Sequence, residues 1–250
     1  MVQEAAAKTF SNKELKNREQ LLELFKNSPI PEGEMLYNLP LFIKRREMMR
    51  ILFMQELYEK MLNVHGVIME FGVLWGKNLA LYESFRGIYE PYNHSRRIVA
   101  FDTFSGFPSV HAKDGGAELA CKGEYATTVG YEAYLDQIMQ CHEQESPIGH
   151  IKKYELIKGD ATVTVERYLK DHPETIIALA YFDFDIYEPT KKCLALIKSH
   201  LTKGSVIGFD ELNVSSWPGE TVAVREELGL NNIRVQRSRH SSVQSYMIVE

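Results

Sequence analysis

Hydrophobic positions in this 250-residue chain change their spacing near residue 66. Before that point the spacing is helical. Ser11-Asn12-Lys13-Glu14 fits a capping box, and Leu15, Leu21, Leu22 and Phe25 follow at near-helical intervals. Asn27 to Glu34, with two prolines and a glycine, breaks this helix. A second helix is predicted from about Pro40 to Leu62, rich in Met and Leu, with Lys44, Arg45 and Arg46 near its start. From Val67 onward, short apolar runs alternate with amphipathic stretches. Strands are predicted at Val67–Phe71, Ile98–Phe101, Tyr154–Ile157, Ile176–Phe182 and Ser205–Phe209. Helices are predicted at Gly76–Arg86, Glu132–Cys141, Val163–Leu169, Lys191–His200 and Thr221–Leu228. Ile233–Gln236 and Tyr246–Val249 read as two final strands.

This alternation predicts an α/β fold, a mainly parallel sheet with helices on both faces. The last two strands are joined only by the polar stretch Arg237 to Ser242. That is too short for a helical crossover, so they pair antiparallel. The chain divides into an N-terminal helical extension, 1–65, and an α/β domain, 66–250. Ser105 to Gly130 is the least regular segment, rich in Gly and small residues, and is read as a pocket wall or a mobile loop.

Composition narrows the class. Hydrophobic content of 44% and charged content of 25% fit a globular protein. A net charge of −5 weighs against binding to a nucleic-acid backbone. Cys121, Cys141 and Cys193 show no pairing or metal-ligand spacing, which fits a reducing compartment. The first eight residues lack an apolar signal core, and no apolar run approaches the roughly 20 residues of a membrane span. The expected location is the cytoplasm.

Four groups of residues can carry chemistry. The first is Glu70-Phe71-Gly72-Val73-Leu74-Trp75-Gly76-Lys77-Asn78, a strand end, a glycine and a helix start. Such a turn lets a ligand approach the backbone closely, outside the carboxyl ends of the strands. It is not Gly-x-Gly-x-x-Gly and lacks the Lys-Ser/Thr of a phosphate loop. It is equally read as a plain tight turn. The second is Asp102, at the end of the next strand, which suits ribose hydroxyls or caps a turn. The third is Gly159-Asp160-Ala161, where Asp160 either accepts an adenine amine or caps the following helix.

The fourth group is Asp183 with Asp210 and Glu211. Asp183 and Asp210 are 210 − 183 = 27 residues apart, one crossover helix, so neighbouring parallel strands would bring them together. Clustered carboxylates repel unless a cation or protons compensate, and oxygen-only ligands suit Mg²⁺ and similar hard ions. The alternative is a set of solvated strand-end acids. Asp185 competes for a place in this group, and Tyr187 and Glu188 can orient it. His111 and His142 are scattered candidate bases, and Trp217, Pro218 and Gly219 either wall a pocket or form a turn.

Together these motifs resemble class I S-adenosylmethionine-dependent methyltransferases, most closely the macrocin O-methyltransferase family. The resemblance covers roughly Val67 to Val249. Asp183-Phe184-Asp185-Ile186-Tyr187-Glu188-Pro189-Thr190 is similar to that family's Asp-Gly-Asp-Leu-Tyr-Glu-Ser-Thr. Glu70-Phe71-Gly72-Val73 is similar to its Glu-Thr-Gly-Val, and Phe101-Asp102-Thr103-Phe104-Ser105-Gly106-Phe107-Pro108 to its Asp-Ser-Phe-Glu-Gly-Leu-Pro run. Three departures stand out: Phe184 replaces a glycine, Lys77 a small residue, and Glu211 the second Asp of an Asp-Asp pair.

The resemblance implies a Rossmann-like seven-stranded methyltransferase sheet with an antiparallel C-terminal strand. It implies S-adenosylmethionine held by Glu70, Gly72 and Gly76, by Asp102 with Thr103, and by Asp160 with Ala161. It implies Mg²⁺ or another divalent cation on Asp183, Asp210 and Glu211, Asp183 as proton acceptor, and a sugar hydroxyl as the methyl acceptor. The N-terminal helices would cover the site or form a homodimer face. Two other functions share parts of this pattern. They are a nicotinamide-dependent sugar oxidoreductase or epimerase, and a non-catalytic S-adenosylmethionine-binding protein.

Overall fold

The structure, a computed structural model, describes residues 11–117 and 119–250; the expectation for the first eight residues lies outside them. The chain forms two compact units, one ending at Arg50 and one running from Ile51 to Glu250.

In the first unit, α1 (Asn12–Lys26) opens with the expected capping box. The Glu14 carboxylate accepts from the Ser11 amide at 2.8 Å, and the Ser11 hydroxyl accepts from the Glu14 amide at 3.3 Å. A short helix, α2 (Glu32–Met35), and a 3₁₀ turn at Leu39–Leu41 follow. The next helix, α3 (Arg45–Met61), starts five residues later than Pro40. The turn is closed by the Phe42 amide on Leu39 O at 2.9 Å, a bond that a continuous helix would not make.

The second unit carries the sheet. Its elements are β1 (Val67–Phe71), α4 (Lys77–Tyr89), β2 (Ile98–Asp102), α5 (Tyr131–Glu145), β3 (Tyr154–Lys158) and α6 (Ala161–Asp171). Then come β4 (Ile177–Phe182), α7 (Tyr187–Ile197), β5 (Leu201–Phe209), α8 (Pro218–Glu227), β6 (Gln236–Arg237) and β7 (Ser245–Ile248). The sheet order is β3-β2-β1-β4-β5-β7-β6. The first five strands are parallel; β7 runs antiparallel between β5 and β6. This is the expected seven-stranded, mainly parallel methyltransferase sheet.

Strand alternation divides the core. Ile68, Ile98, Leu179 and Val206 face one side, where Phe53, Met54, Leu57, Tyr58 and Met61 of α3 cover them. Met69, Val99, Ala180 and Ile207 face the other, against α6 and α7. Burial on both faces explains why the central strands are near-continuous apolar runs.

One charged group is locked inside the unit. Arg86 of α4 pairs with Glu83, and with Glu143 of α5 at 2.8 Å; Lys153 also pairs with Glu143. Arg86 Nη1 donates to Lys153 O at 3.0 Å, so the pairs tie both helices to the start of β3. Among the described residues, no helix is long and apolar enough to cross a membrane.

Candidate active site

Parallel strands in register bring their carboxyl ends level. Phe71 of β1 is opposite Phe182 of β4, which is opposite Phe209 of β5. The next residues, Gly72, Asp183 and Asp210, therefore share one edge. Backbone bonds fix the row: the Gly72 amide on Phe101 O at 3.0 Å, the Asp183 amide on Phe71 O at 2.8 Å, and the Asp210 amide on Phe182 O at 3.0 Å.

The turn after β1 is shaped for close approach. Glu70 is completely buried, and neither carboxyl oxygen meets a donor at hydrogen-bonding geometry. Burial first, then the Asp183 charge, hold Glu70 well above the usual carboxylate range; the nearby Asn78 amide and Lys77 oppose this. Gly72 has φ +93°, and a Cβ there would sit 2.1 Å from the Asp183 carbonyl oxygen. Gly76 has φ +78° and opens α4, with the Leu135 side chain filling the space of a Cβ.

The two acids at the β2 and β3 ends organise backbone. Asp102 Oδ2 accepts from the amides of Val73 at 2.6 Å and Leu74 at 2.8 Å, while Oδ1 accepts from Phe104 at 2.6 Å. Three of its roughly four acceptor sites are thereby used. Thr103 Oγ1 donates to Gly106 O at 2.7 Å, closing the following turn. Asp160 is the N-cap of α6, accepting from the Thr162 amide at 2.8 Å, and Ala161 is the buried first residue of that helix.

The β4 and β5 ends collect the remaining acids. Asp210 is buried, and its Oδ1 accepts from the Tyr181 hydroxyl at 2.6 Å and from Gln244 Nε2 at 2.9 Å. Asp185 adopts a left-handed backbone, φ +62°, a conformation that Asp tolerates better than most residues. It keeps part of its surface exposed. Burial around its carboxyl, then the charges of Glu211, Asp183, Asp210 and Glu220, hold it well above the usual carboxylate range. Asp185 thus joins Asp183, Asp210 and Glu211. Among the described residues, no group of three or more His, Cys, Asp or Glu side chains is placed so that it could hold a metal ion. Phe184 packs against the rings of Phe71 at 5.9 Å and Phe182 at 6.3 Å, which accounts for an aromatic residue where the family has glycine.

Three participants were not singled out from sequence. Glu220 in the first turn of α8 is fully buried; its Oε1 accepts from the Glu211 amide at 3.3 Å, which holds the Asp210-Glu211 corner. Burial and then the Asp210 charge raise it well above the usual range. Asp114, also fully buried, accepts from the His111 amide at 2.7 Å and the Tyr187 amide at 2.6 Å. The irregular loop thereby supplies the cap that Ile186 cannot give to α7. Tyr125 packs against Phe107 at 5.2 Å and Trp217 at 6.3 Å. Burial, then the Asp185, Glu211 and Asp183 charges, push its phenol above the usual range. Phe107, Tyr125 and Trp217 thus form an aromatic cluster, with Tyr125 near the acids. An acid in a first helical turn was legible at Glu220; its burial was not.

No protein-family model matches the chain, and no curated protein matches it. Solved structures do. The crystal structure of CalS11, a calicheamicin methyltransferase, is 45% identical over 96% of this chain and 93% of its own, with a TM-score of 0.93. The apo structure of CalS11, described as a TDP-rhamnose 3'-O-methyltransferase of calicheamicin biosynthesis, is 42% identical over 96% of this chain and 95% of its own, with a TM-score of 0.85. The O-methyltransferase NovP shares the fold, at 16% identity over 80% of this chain and 79% of its own, with a TM-score of 0.57. The chain belongs to the class I S-adenosylmethionine-dependent O-methyltransferases, not to nicotinamide-dependent oxidoreductases.

Proposed function

We propose that this enzyme methylates a hydroxyl of a sugar, with Asp183 as the proton acceptor. The observation that carries the reading is the place of Asp183. Its backbone touches the space above Gly72, and its charge acts on Glu70 on one side and on Asp185 and Glu220 on the other. A proton acceptor there lies between the cofactor turn and the acid group. The similarity to a TDP-rhamnose 3'-O-methyltransferase supports a sugar acceptor.

The reaction needs alignment and deprotonation. The acceptor oxygen forms a bond to the methyl carbon as the carbon–sulfur bond breaks. The electron pair goes to sulfur, and the hydroxyl proton goes to Asp183. Holding oxygen, carbon and sulfur in line removes most of the entropic barrier, and a positioned base contributes further. A proton is welcome at this edge because each carboxylate disfavours the ionisation of its neighbours. Glu70, Gly72 and Gly76 would cradle the methionine and ribose part of the cofactor. Asp102 with Thr103 would shape the ribose side, and Asp160 with Ala161 the adenine side.

An all-carboxylate donor set is the chemistry that a hard divalent cation such as Mg²⁺ takes, and this supports a cation at the edge. Asp183, Asp210 and Glu211 would hold the cation, with Asp185 beside them. A cation held there lowers the pKa of an acceptor hydroxyl. Labelled methyl transfer from S-adenosylmethionine, measured against nucleotide-linked sugars, simple glycosides and catechols, tests the reading. Transfer to sugars, lost with EDTA and restored by Mg²⁺, is expected. Transfer to catechols alone would overturn the sugar acceptor, and EDTA-insensitive turnover would remove the cation.

A further inference from the structure

The turn that carries Asp183 and Asp185 is anchored through its backbone at both ends. At one end the Asp183 amide donates to Phe71 O of the sheet at 2.8 Å. At the other the Tyr187 amide donates to Asp114 Oδ1 at 2.6 Å. Between them Asp185 takes its left-handed φ of +62°, and the Ile186 amide closes on Phe184 O at 2.7 Å. One anchor belongs to the sheet. The other is a side chain of the 105–130 loop, 73 residues away in sequence.

Asp114 ends the 3₁₀ turn Ala112–Asp114 and is fully buried. Its Oδ2 accepts from the His111 amide at 2.7 Å, so its two oxygens join two segments of chain. A third segment rests against it. A Cβ at Gly219, in the first turn of α8, would lie 2.3 Å from Asp114 Oδ1 and 2.7 Å from the Tyr187 nitrogen. Only glycine leaves room for that approach. The residue after Gly219 is Glu220, whose Oε1 accepts from the Glu211 amide at 3.3 Å. One carboxylate thus sits where the loop, the Asp183–Ile186 turn and the start of α8 meet.

Its chemistry suits the place. Both α7 and α8 begin beside it, and negative charge is favoured at a helix N-terminus. A carboxylate accepts both amides, whereas an asparagine of the same shape would set its NH₂ group against one of them. A separate tie at the surface joins the same loop to the same helices. Lys113 Nζ donates to the Tyr187 hydroxyl at 3.0 Å and pairs with Glu226 at 2.6 Å. That tie can be cut without touching the buried carboxylate.

We propose that Asp114 is a positioning residue for methyl transfer. It sets the turn that carries Asp183 and Asp185 and, through Gly219, the corner that Glu220 holds. Fully buried, it meets no substrate and acts through the acids it places. This deepens the methylation reading and rests on Asp183 as proton acceptor for its effect on rate.

Single-turnover methyl transfer, with whichever hydroxylated acceptor the wild type methylates, is measured for the wild-type enzyme, Asp114→Asn, Asp183→Asn, the double variant and Lys113→Ala. Affinity for S-adenosylhomocysteine and urea unfolding are measured on each. Asp114→Asn should slow transfer about 10–100-fold, because a small misplacement of reacting groups is enough, with cofactor affinity retained and the enzyme folded under assay conditions. Lys113→Ala should stay within about twofold of wild type, as expected for a surface ion pair. Adding Asp114→Asn to Asp183→Asn should cost little more, since a residue that acts through another then has nothing left to position. A wild-type rate in Asp114→Asn, a loss that only matches its unfolded fraction, an equal loss in Lys113→Ala, or losses that multiply in the double variant would overturn the positioning role. A wild-type rate in Asp183→Asn beside a slow Asp114→Asn would instead overturn Asp183 as the proton acceptor and leave Asp114 positioning the rest of the edge.

Discussion

Two groups of carboxylates in the same unit differ in what answers their charge. Glu83 and Glu143 are buried with Arg86 and Lys153, two acids against two cations. At the sheet edge, Glu70, Asp183, Asp185, Asp210, Glu211 and Glu220 gather instead, and Asp185 and Glu220 have no ion pair among the described residues. The largest influences on Asp185 after burial are four other acids. The first group is balanced by the protein and joins α4, α5 and β3. In the second, Asp185 and Glu220 have chiefly other acids around them.

Arg86→Met should break the balanced group most severely. It leaves Glu83 and Glu143 buried with Lys153 as the remaining cation, and losing one partner of such a group costs about 3–5 kcal/mol. Urea unfolding would measure this, and any fall in turnover should track the unfolded fraction. A stable variant with lost activity would mean that the two groups have been assigned the wrong way round.

Gly72→Ala acts at the edge, through the backbone. Its Cβ would collide with the Asp183 carbonyl at φ +93°, a strain of about 1–3 kcal/mol. Because the collision displaces Asp183, calorimetry should show weaker S-adenosylhomocysteine binding as well as the lower stability. Normal affinity would separate this turn from the cofactor.

The smallest effect concerns pH. Burial, with Arg86 opposing it, leaves Glu83 pushed up to about 7 from an ordinary 4.5. The folded state then holds this proton where the unfolded state has lost it. Its contribution makes stability fall as pH rises from about 4.5 to about 7. Glu83→Gln should flatten that part of the melting-temperature curve, and an unchanged slope would assign the effect to other groups.

Much of this was legible in the chain. β1, β2 and β4 were readable because burial on both faces leaves long apolar runs. The meeting of Asp183 and Asp210 followed from one crossover interval between neighbouring parallel strands. Elements that depend on distant partners were harder. The helix expected over Lys191–His200 instead runs from Tyr187 to Ile197 as α7. A proline is tolerated in a first turn, and the Tyr187 amide is met by Asp114, 73 residues away. β5 begins at Leu201 rather than Ser205, because polar Thr202 and Lys203 lie on its exposed end. β6 shrinks to Gln236–Arg237, shifted toward the turn that carries Arg239. Asp102 and Asp160 each left two uses open in sequence. The structure supplies the backbone partners that occupy Asp102 and the cap that Asp160 makes. Glu220 and Asp114 were hidden because their burial is set by contacts far along the chain.

The central claim is that the acid-rich edge performs the proton transfer. Single-turnover methyl transfer to a nucleotide-linked sugar, wild type against Asp183→Asn, with S-adenosylhomocysteine affinity measured on both, tests it most directly. The account predicts a loss of roughly 10²–10⁴-fold in the rate of transfer, with cofactor affinity and melting temperature retained. Transfer by the variant at the wild-type rate would contradict it.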